Sequence, residues 1–151
     1  MTDKILPIDD LPLGDFQKLV DSLILGEGIR KKPYVDTVGK VSIGIGRNLT
    51  DNGLSDDELY FLFSNDLKEA HQTAAGFIHY AHLNPPRRAV IIEMAFNMGQ
   101  YRLAGFKKMW EALSTGNYYM AASEMLDSKW ASQVGNRAKR LATIMERGTW
   151  R

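Results

Sequence analysis

Residues 23–48 read LILGEGIRKKPYVDTVGKVSIGIGRN, and the fold turns on how this stretch is parsed. An apolar run ends at Glu27, set between Gly26 and Gly28; Arg30, Lys31 and Lys32 follow, then Asp36, then a strand studded with glycines. Upstream, Phe16, Leu19, Val20, Leu23 and Ile24 recur at three- and four-residue spacing, which predicts a helix with Asp15 as N-cap and its end at Gly26 and Gly28. Glu27 lies three residues after Ile24 and four after Leu23, so a helix that reaches it sets its carboxyl on the apolar face. Downstream, PYVD and KVSIGIG read as two strands joined through TVG, with Gly39 in the turn. Val41, Ile43 and Ile45 then form an apolar row, and Ser42, Gly44 and Gly46 a bare strip where a bulge or a close approach is expected.

Further along, Ser55 and Glu58 form a capping box opening a long helix to about Tyr80, and NPP at 84–86 stops it and starts the next. AVIIEMAFNMG, apolar nearly all round apart from Glu93 and Asn97, predicts the central core helix of the second half. Shorter helices are expected at about 103–114, at 118–128 behind Asn117, and at 136–147 ending at Gly148. The result is an α+β, mainly α chain: a small lobe with a hairpin, a connecting helix and a helical lobe. Residues 1–15 read as an extension, and 16–150 as one domain with lobes at about 16–58 and 81–150 and the connecting helix at about 56–80.

With 151 residues there is room for one core and not for two ordinary domains. The absence of cysteine excludes disulfides and thiolate metal sites and fits a reducing compartment. No run approaches a membrane span, and the first 15 residues lack the pattern of a secretory signal, so no stable membrane insertion is expected. Charge is uneven: residues 1–75 carry 8 Lys and Arg against 13 Asp and Glu, and residues 76–151 carry 11 against 5. The back half thus favours an anionic partner, a nucleic acid or a cell-wall polymer, although scattered surface charge gives the same count. No recognition helix, zinc pattern or stacking strand supports nucleic acid. His79 and His82 lack the further ligands a metal needs, and GIG lacks the third glycine of a dinucleotide site, so no metal or cofactor is expected.

Two acids in this setting suit glycosidic hydrolysis, which needs one carboxyl protonated and one ionised. A helix C-terminus disfavours a carboxylate at Glu27 by roughly 0.3–1 kcal/mol, and partial burial acts in the same direction. Asp36, among Lys31, Lys32 and Lys40, is expected to stay ionised. Ser42, back across the hairpin, is placed to help Asp36 hold a water. Plainer readings stand beside these: Glu27 paired with Arg30, Asp36 capping its own turn, and Ser42 facing solvent.

Glu27-Gly28, YVDT and SIGIG resemble the signature of the phage-type lysozymes of glycoside hydrolase family 24, the T-even phage lysozyme family: Glu, eight residues, Asp, five residues, Thr. Glu27, Asp36 and Ser42 fall at those spacings, and LAGF at 103–106, SKW at 128–130, NRAKR at 136–140 and GTW at 148–150 follow in the family's order. The resemblance implies a two-lobe fold with a cleft between the lobes. It also implies an endo-acting muramidase that cuts the β-1,4 bond between N-acetylmuramic acid and N-acetylglucosamine in bacterial peptidoglycan. Glu27 is then the general acid, Asp36 the residue that positions or activates water, and the product inverted, with carboxyls about 6.5–9.5 Å apart.

By the same resemblance Arg137 matches an arginine that pairs with the catalytic glutamate, and Phe96 and Asn97 match substrate-contact positions. Gln133 and Asn136 offer polar contacts to sugar or peptide, with turn and cap duty as the plainer role; for Phe96 that role is core packing. Ser42 departs from the family's threonine, Arg47 from a histidine used in an ion pair, and Asn48, Met109 and Glu124 from substrate contacts. A monomer is expected, waiting in the host cytoplasm until a holin opens the inner membrane to the periplasm. Rival readings are a wall-binding or baseplate module that does not cut, and a lytic transglycosylase.

Overall fold

The computed structural model describes residues 4–151, in the order α1 (Leu13–Glu27), β1 (Arg30–Val35), β2 (Val41–Gly44), β3 (Arg47–Asn48), α2 (Leu49–Asn52), α3 (Asp56–Ala75), α4 (Pro85–Ala104), α5 (Lys107–Ser114), α6 (Tyr118–Leu126), α7 (Lys129–Val134) and α8 (Asn136–Arg147). A single 3-10 turn, Tyr80–His82, stands between α3 and α4. The chain divides into two compact units, one ending at Leu59 and the other running from Tyr60 to Arg151. The class is the mainly α, α+β one expected, with a lysozyme-like order of elements. Among the described residues no helix is long and apolar enough to cross a membrane.

In the small unit, α1 begins at Leu13, earlier than expected: Pro12 holds the N-cap position, and Asp15 is a first-turn acid, favoured there by the helix dipole, rather than the cap. The helix does run to Glu27, and Gly28 ends it with its N–H on the Ile24 carbonyl. The three strands form an antiparallel sheet in the order β1-β2-β3. Tyr34 pairs with Ser42 and Val35 with Val41, then Ser42 with Asn48 and Ile43 with Arg47. The strand alternates as expected, but the buried side is the opposite one: Ser42 is 4% exposed, whereas Val41 and Ile45 are exposed. A hydrophobic pattern gives the period of a strand; which face is covered depends on what packs there.

The third strand and the one-turn α2 are additions to the expected elements. Asn48 caps α2 by accepting from the Asp51 N–H at 3.0 Å, and Thr50 Oγ1 accepts from the Val41 N–H at 2.8 Å, so α2 is stitched to β2. Among the described residues up to Leu59 only Phe16, Val20 and Ser42 are buried. This unit is held by its hydrogen-bond network more than by a core.

The capping box forms as expected: the Glu58 N–H donates to Ser55 Oγ (3.2 Å) and the Ser55 N–H to Glu58 Oε1 (2.8 Å). The helix it opens stops at Ala75 instead of Tyr80, because Gly76 closes it with bonds to the Gln72 and Thr73 carbonyls. Of its residues only Ala70 and Ala74 are buried.

In the helical unit α4 is the central helix, started by Asn84, whose side chain accepts from the Arg87 N–H, with Pro85 and Pro86 following. Gly99, at φ 80°, breaks it, a backbone angle that a side-chained residue adopts only at a cost. Leu103 lies in the short helical segment after this break, which ends at Ala104, and the next helix starts at Lys107 rather than 103. Asn117 caps α6 and Gly148 ends α8 as expected, while α7, capped by Ser128, is an addition. Ile91, Met94, Leu103, Met109, Met125 and Met145 are fully buried and form the centre of the core. Methionine's unbranched chain suits the uneven gaps between short helices.

Candidate active site

Glu27 ends α1 as an exposed residue, so the expected partial burial is absent, while its place at the helix C-terminus is as expected. Its carboxyl lies on the backbone of Gly46, in the turn between β2 and β3. A Cβ built on Gly46 would stand 2.7 Å from Glu27 Oε2 and 2.9 Å from its Cδ, closer than carbon and oxygen tolerate. Gly46 also has φ 71°. Of the strip Gly44–Gly46, this is where the close approach occurs; a Cβ on Gly44 would meet nothing within 4 Å.

Asp36 sits at the mouth of the β1-β2 turn. Its Oδ1 accepts from the N–H groups of Val38 (3.0 Å) and Lys40 (2.8 Å), and its own N–H donates to the Lys40 carbonyl (2.8 Å), so it does cap its hairpin. Oδ2 takes part in none of these bonds. The register sets Tyr34 opposite Ser42, and Asp36, two residues on from Tyr34, points to the same face of the sheet. Asp36 and Ser42 are thus a diagonal pair, with Cα atoms about 7–8 Å apart in such geometry, a span that one water bridges. Ser42 is buried rather than solvent-facing. Asp36 therefore shapes the turn through one oxygen, and Oδ2 stays outside the turn's hydrogen bonds.

Arg47 follows Gly46. Its Nη1 donates to Glu58 Oε1 (2.7 Å) and to the Gly53 carbonyl (3.2 Å), and its Nη2 meets Glu58 Oε2 at 2.6 Å. This two-point pair, helped by the Ser55 N–H and hydroxyl, holds the Glu58 carboxyl down to about 2, and the carboxylate raises the Arg47 guanidinium. Sequence reading found Glu58 as a cap and missed it as an ion-pair partner, since the two residues are eleven apart across a turn. Asn48 is spent on capping α2.

The helical unit carries the other expected residues. Asn97 Oδ1 accepts from Trp130 Nε1 at 2.8 Å, and Asn97, Trp130 and Gln133 line a cavity of about 610 Å³. Arg102, Lys107, Lys108 and Lys129 line it too, against Glu124 and Asp127, so its wall is net positive. Met109 is fully buried beneath it. Phe96 is not in the core: it is 42% exposed and meets Phe63 edge to face at 5.8 Å, beside a separate groove lined by Asp66, Glu69, Thr73 and Gln100. Asn136 is the exposed first residue of α8. Arg137 pairs within its own unit with Glu93 (3.5 Å), whose same oxygen lies 3.8 Å from Arg140. The two polar exceptions of α4, Glu93 and Asn97, are thus accounted for by partners on α8 and α7. Among the described residues no group of three or more His, Cys, Asp or Glu is arranged to hold a metal ion; His79 and His82 only place their rings 6.3 Å apart.

A small unit presenting two acids and a hydroxyl around a hairpin, followed by a helical unit with a central helix, is the layout of a lysozyme-like protein. Residues 25–149 match the phage lysozyme family. Two proteins of Dictyostelium discoideum, probable T4-type lysozyme 2 and probable T4-type lysozyme 1, are 26% and 27% identical to this chain, covering 87% and 85% of it and 95% and 94% of their own lengths. The pre-baseplate central spike protein Gp5 of Enterobacteria phage T4 is 28% identical over 94% of this chain, which spans 30% of that protein. This chain belongs to the phage lysozyme family.

Proposed function

We infer that the protein is an endo-acting muramidase that hydrolyses the β-1,4 bond between N-acetylmuramic acid and N-acetylglucosamine in bacterial peptidoglycan, with inversion. The observation that carries this reading is Glu27, Asp36 and Ser42 at the family spacing, with Asp36 and Ser42 on one face of the hairpin and the Glu27 carboxyl seated at Gly46. Glu27 gives its proton to the glycosidic oxygen as the bond to the anomeric carbon breaks. A water held by Asp36 Oδ2 and the Ser42 hydroxyl attacks that carbon from the opposite face, and Asp36 takes its proton. Asn97, Gln133, Asn136, Arg137 and Phe96 are assigned to holding sugar and peptide, and the net positive cavity around Asn97 and Gln133 supports this for an anionic polymer.

The test is mass spectrometry of purified wall digested in water labelled with heavy oxygen. Labelled reducing-end muramic acid from the wild type and none from Glu27→Gln supports a hydrolase with Glu27 as its acid; anhydro-sugars mean a lytic transglycosylase, and no cleavage a wall-binding module. The anomer released, followed by proton NMR, reads the stereochemistry.

The site of action belongs to the same reading: a monomeric phage endolysin held in the host cytoplasm and reaching the periplasm after holin opens the inner membrane, supported by the family match. The likeness to a baseplate spike protein favours a second location, the phage particle. Immunoblotting of purified particles against the soluble lysate separates the two.

A further inference from the structure

Glu27 is an exposed side chain at the end of a helix, and a carboxyl so placed ordinarily samples several rotamers. Its carboxyl nevertheless fills the space that a Cβ on Gly46 would take, 2.7 Å from Oε2 to that position. The turn that carries Gly46 is only partly tied by strand pairing, since β3 is two residues long and pairs Ile43 with Arg47 and Ser42 with Asn48. The next residue, Arg47, supplies the rest: one guanidinium joins three segments, the start of β3, the Gly53 carbonyl behind α2, and Glu58 in the first turn of α3. Glu58 Oε1 also accepts from the Ser55 backbone N–H, a bond that does not depend on the Ser55 side chain. The chain of contacts from Glu27 to Gly46, Arg47 and Glu58 is continuous and lies within the small unit.

We propose that Arg47 is a positioning residue for Glu27: by its two-point pair with Glu58 it clamps the β2-β3 turn to the first turn of α3, and the clamped turn presents Gly46 as the stop against which the Glu27 carboxyl rests. The planar fork matters more than the charge. A lysine at 47 keeps the charge but not two parallel bonds together with a third to a carbonyl, so it restores the clamp only in part. The proposal rests on the reading of Glu27 as the acid, and it goes beyond that reading by giving the acid's geometry to residues that touch no substrate.

The experiment compares the full-length Arg47→Gln, Arg47→Lys and Ser55→Ala variants. Ser55→Ala removes one bond of the capping box but leaves the Ser55 N–H and Arg47 on Glu58, so it loosens α3 without opening the clamp. Each is assayed for kcat and KM on soluble wall fragments well below its unfolding midpoint. In addition, the nuclear Overhauser effect between the Glu27 γ-protons and the Gly46 α-protons is recorded. The expected result for Arg47→Gln is a fall in kcat of about 10- to 100-fold, the cost of misplacing a catalytic group by about 1 Å, with KM within about twofold and the Glu27 to Gly46 Overhauser signal abolished. Arg47→Lys falls between it and the wild type, and Ser55→Ala keeps its kcat and the Overhauser signal despite a lower midpoint.

Equal kcat losses in Arg47→Gln and Ser55→Ala, in step with their stabilities, would mean a structural pair only and overturn the proposal. So would an Arg47→Gln variant whose Glu27 to Gly46 Overhauser signal is intact. If the wild type itself does not cleave wall, the functional reading fails instead, and the Overhauser measurement alone then decides the positioning role.

Discussion

Replacing Gly46 by alanine tests the geometry of the proposed acid, Glu27, directly. Two separate effects follow. The backbone at φ 71° suits glycine, and forcing a side-chained residue there costs about 1–2 kcal/mol. For a chain of this size that is roughly 2–8 °C in the unfolding midpoint. The second effect is local. The new methyl would stand 2.7 Å from Glu27 Oε2 and 2.9 Å from Cδ, and a relaxed separation needs about 0.7–1 Å more, so the carboxyl must swing away. Because the obstructing atoms are the far end of a flexible side chain, the swing costs little stability; it costs catalysis, by a factor on the order of 100 for about 1 Å. Gly44→Ala supplies the control, for Gly44 has φ 70° and nothing within 4 Å of a built Cβ. The two variants should lose similar stability in thermal unfolding followed by circular dichroism. In a wall-fragment assay Gly46→Ala should be the far slower. Equal rates for the two would refute the idea that Gly46 seats the Glu27 carboxyl.

Acid titration of stability reads the Arg47–Glu58 pair. Glu58 holds its proton less tightly folded than unfolded, so the unfolded chain binds more protons and stability rises with pH; the contribution is full above about 4.5 and fades as pH falls toward about 2. Glu58→Gln should flatten the fall of the unfolding midpoint over that window, and an unchanged slope would remove the pair from the acid response. Asp36→Asn keeps an oxygen for the Val38 and Lys40 N–H groups and, on the proposed mechanism, loses the base, so calorimetry should find it close to wild-type stability with activity abolished. Asp36→Ala should lose activity and, in addition, about 1–3 kcal/mol of stability. Met94→Ala, at a fully buried site on α4, should cost about 2–5 kcal/mol in denaturant unfolding while leaving activity near wild type well below its midpoint.

Legibility followed the range of the interaction. The capping box of Ser55 and Glu58, the cap at Asn117, the stop at Gly148 and the turn at Gly39 (φ 84°) involve residues within four of one another, and each was readable from residue type and spacing alone, whereas spacing left open whether α1 reaches Glu27. The motif of Glu27, Asp36 and Ser42 came from the likeness to the family signature rather than from spacing alone, and the hairpin register then sets Asp36 and Ser42 on one face. The break in α4 at Gly99 and the short α7 escaped, since an isolated glycine or a six-residue helix leaves little periodic signal.

What sequence alone determined, then, is the order of the longer elements and several of their ends, with the motif residues coming from the likeness to the family signature. Tertiary structure decided which side of β2 is buried, that Phe96 stands at the surface, and that Glu27 is exposed and seated on Gly46 nineteen residues away. It also chose the partners of the lone polar groups: Glu93 for Arg137, Asn97 for Trp130, Arg47 for Glu58. Side-chain type says that a buried or crowded polar group needs a partner; only the path of the chain brings that partner within about 3 Å.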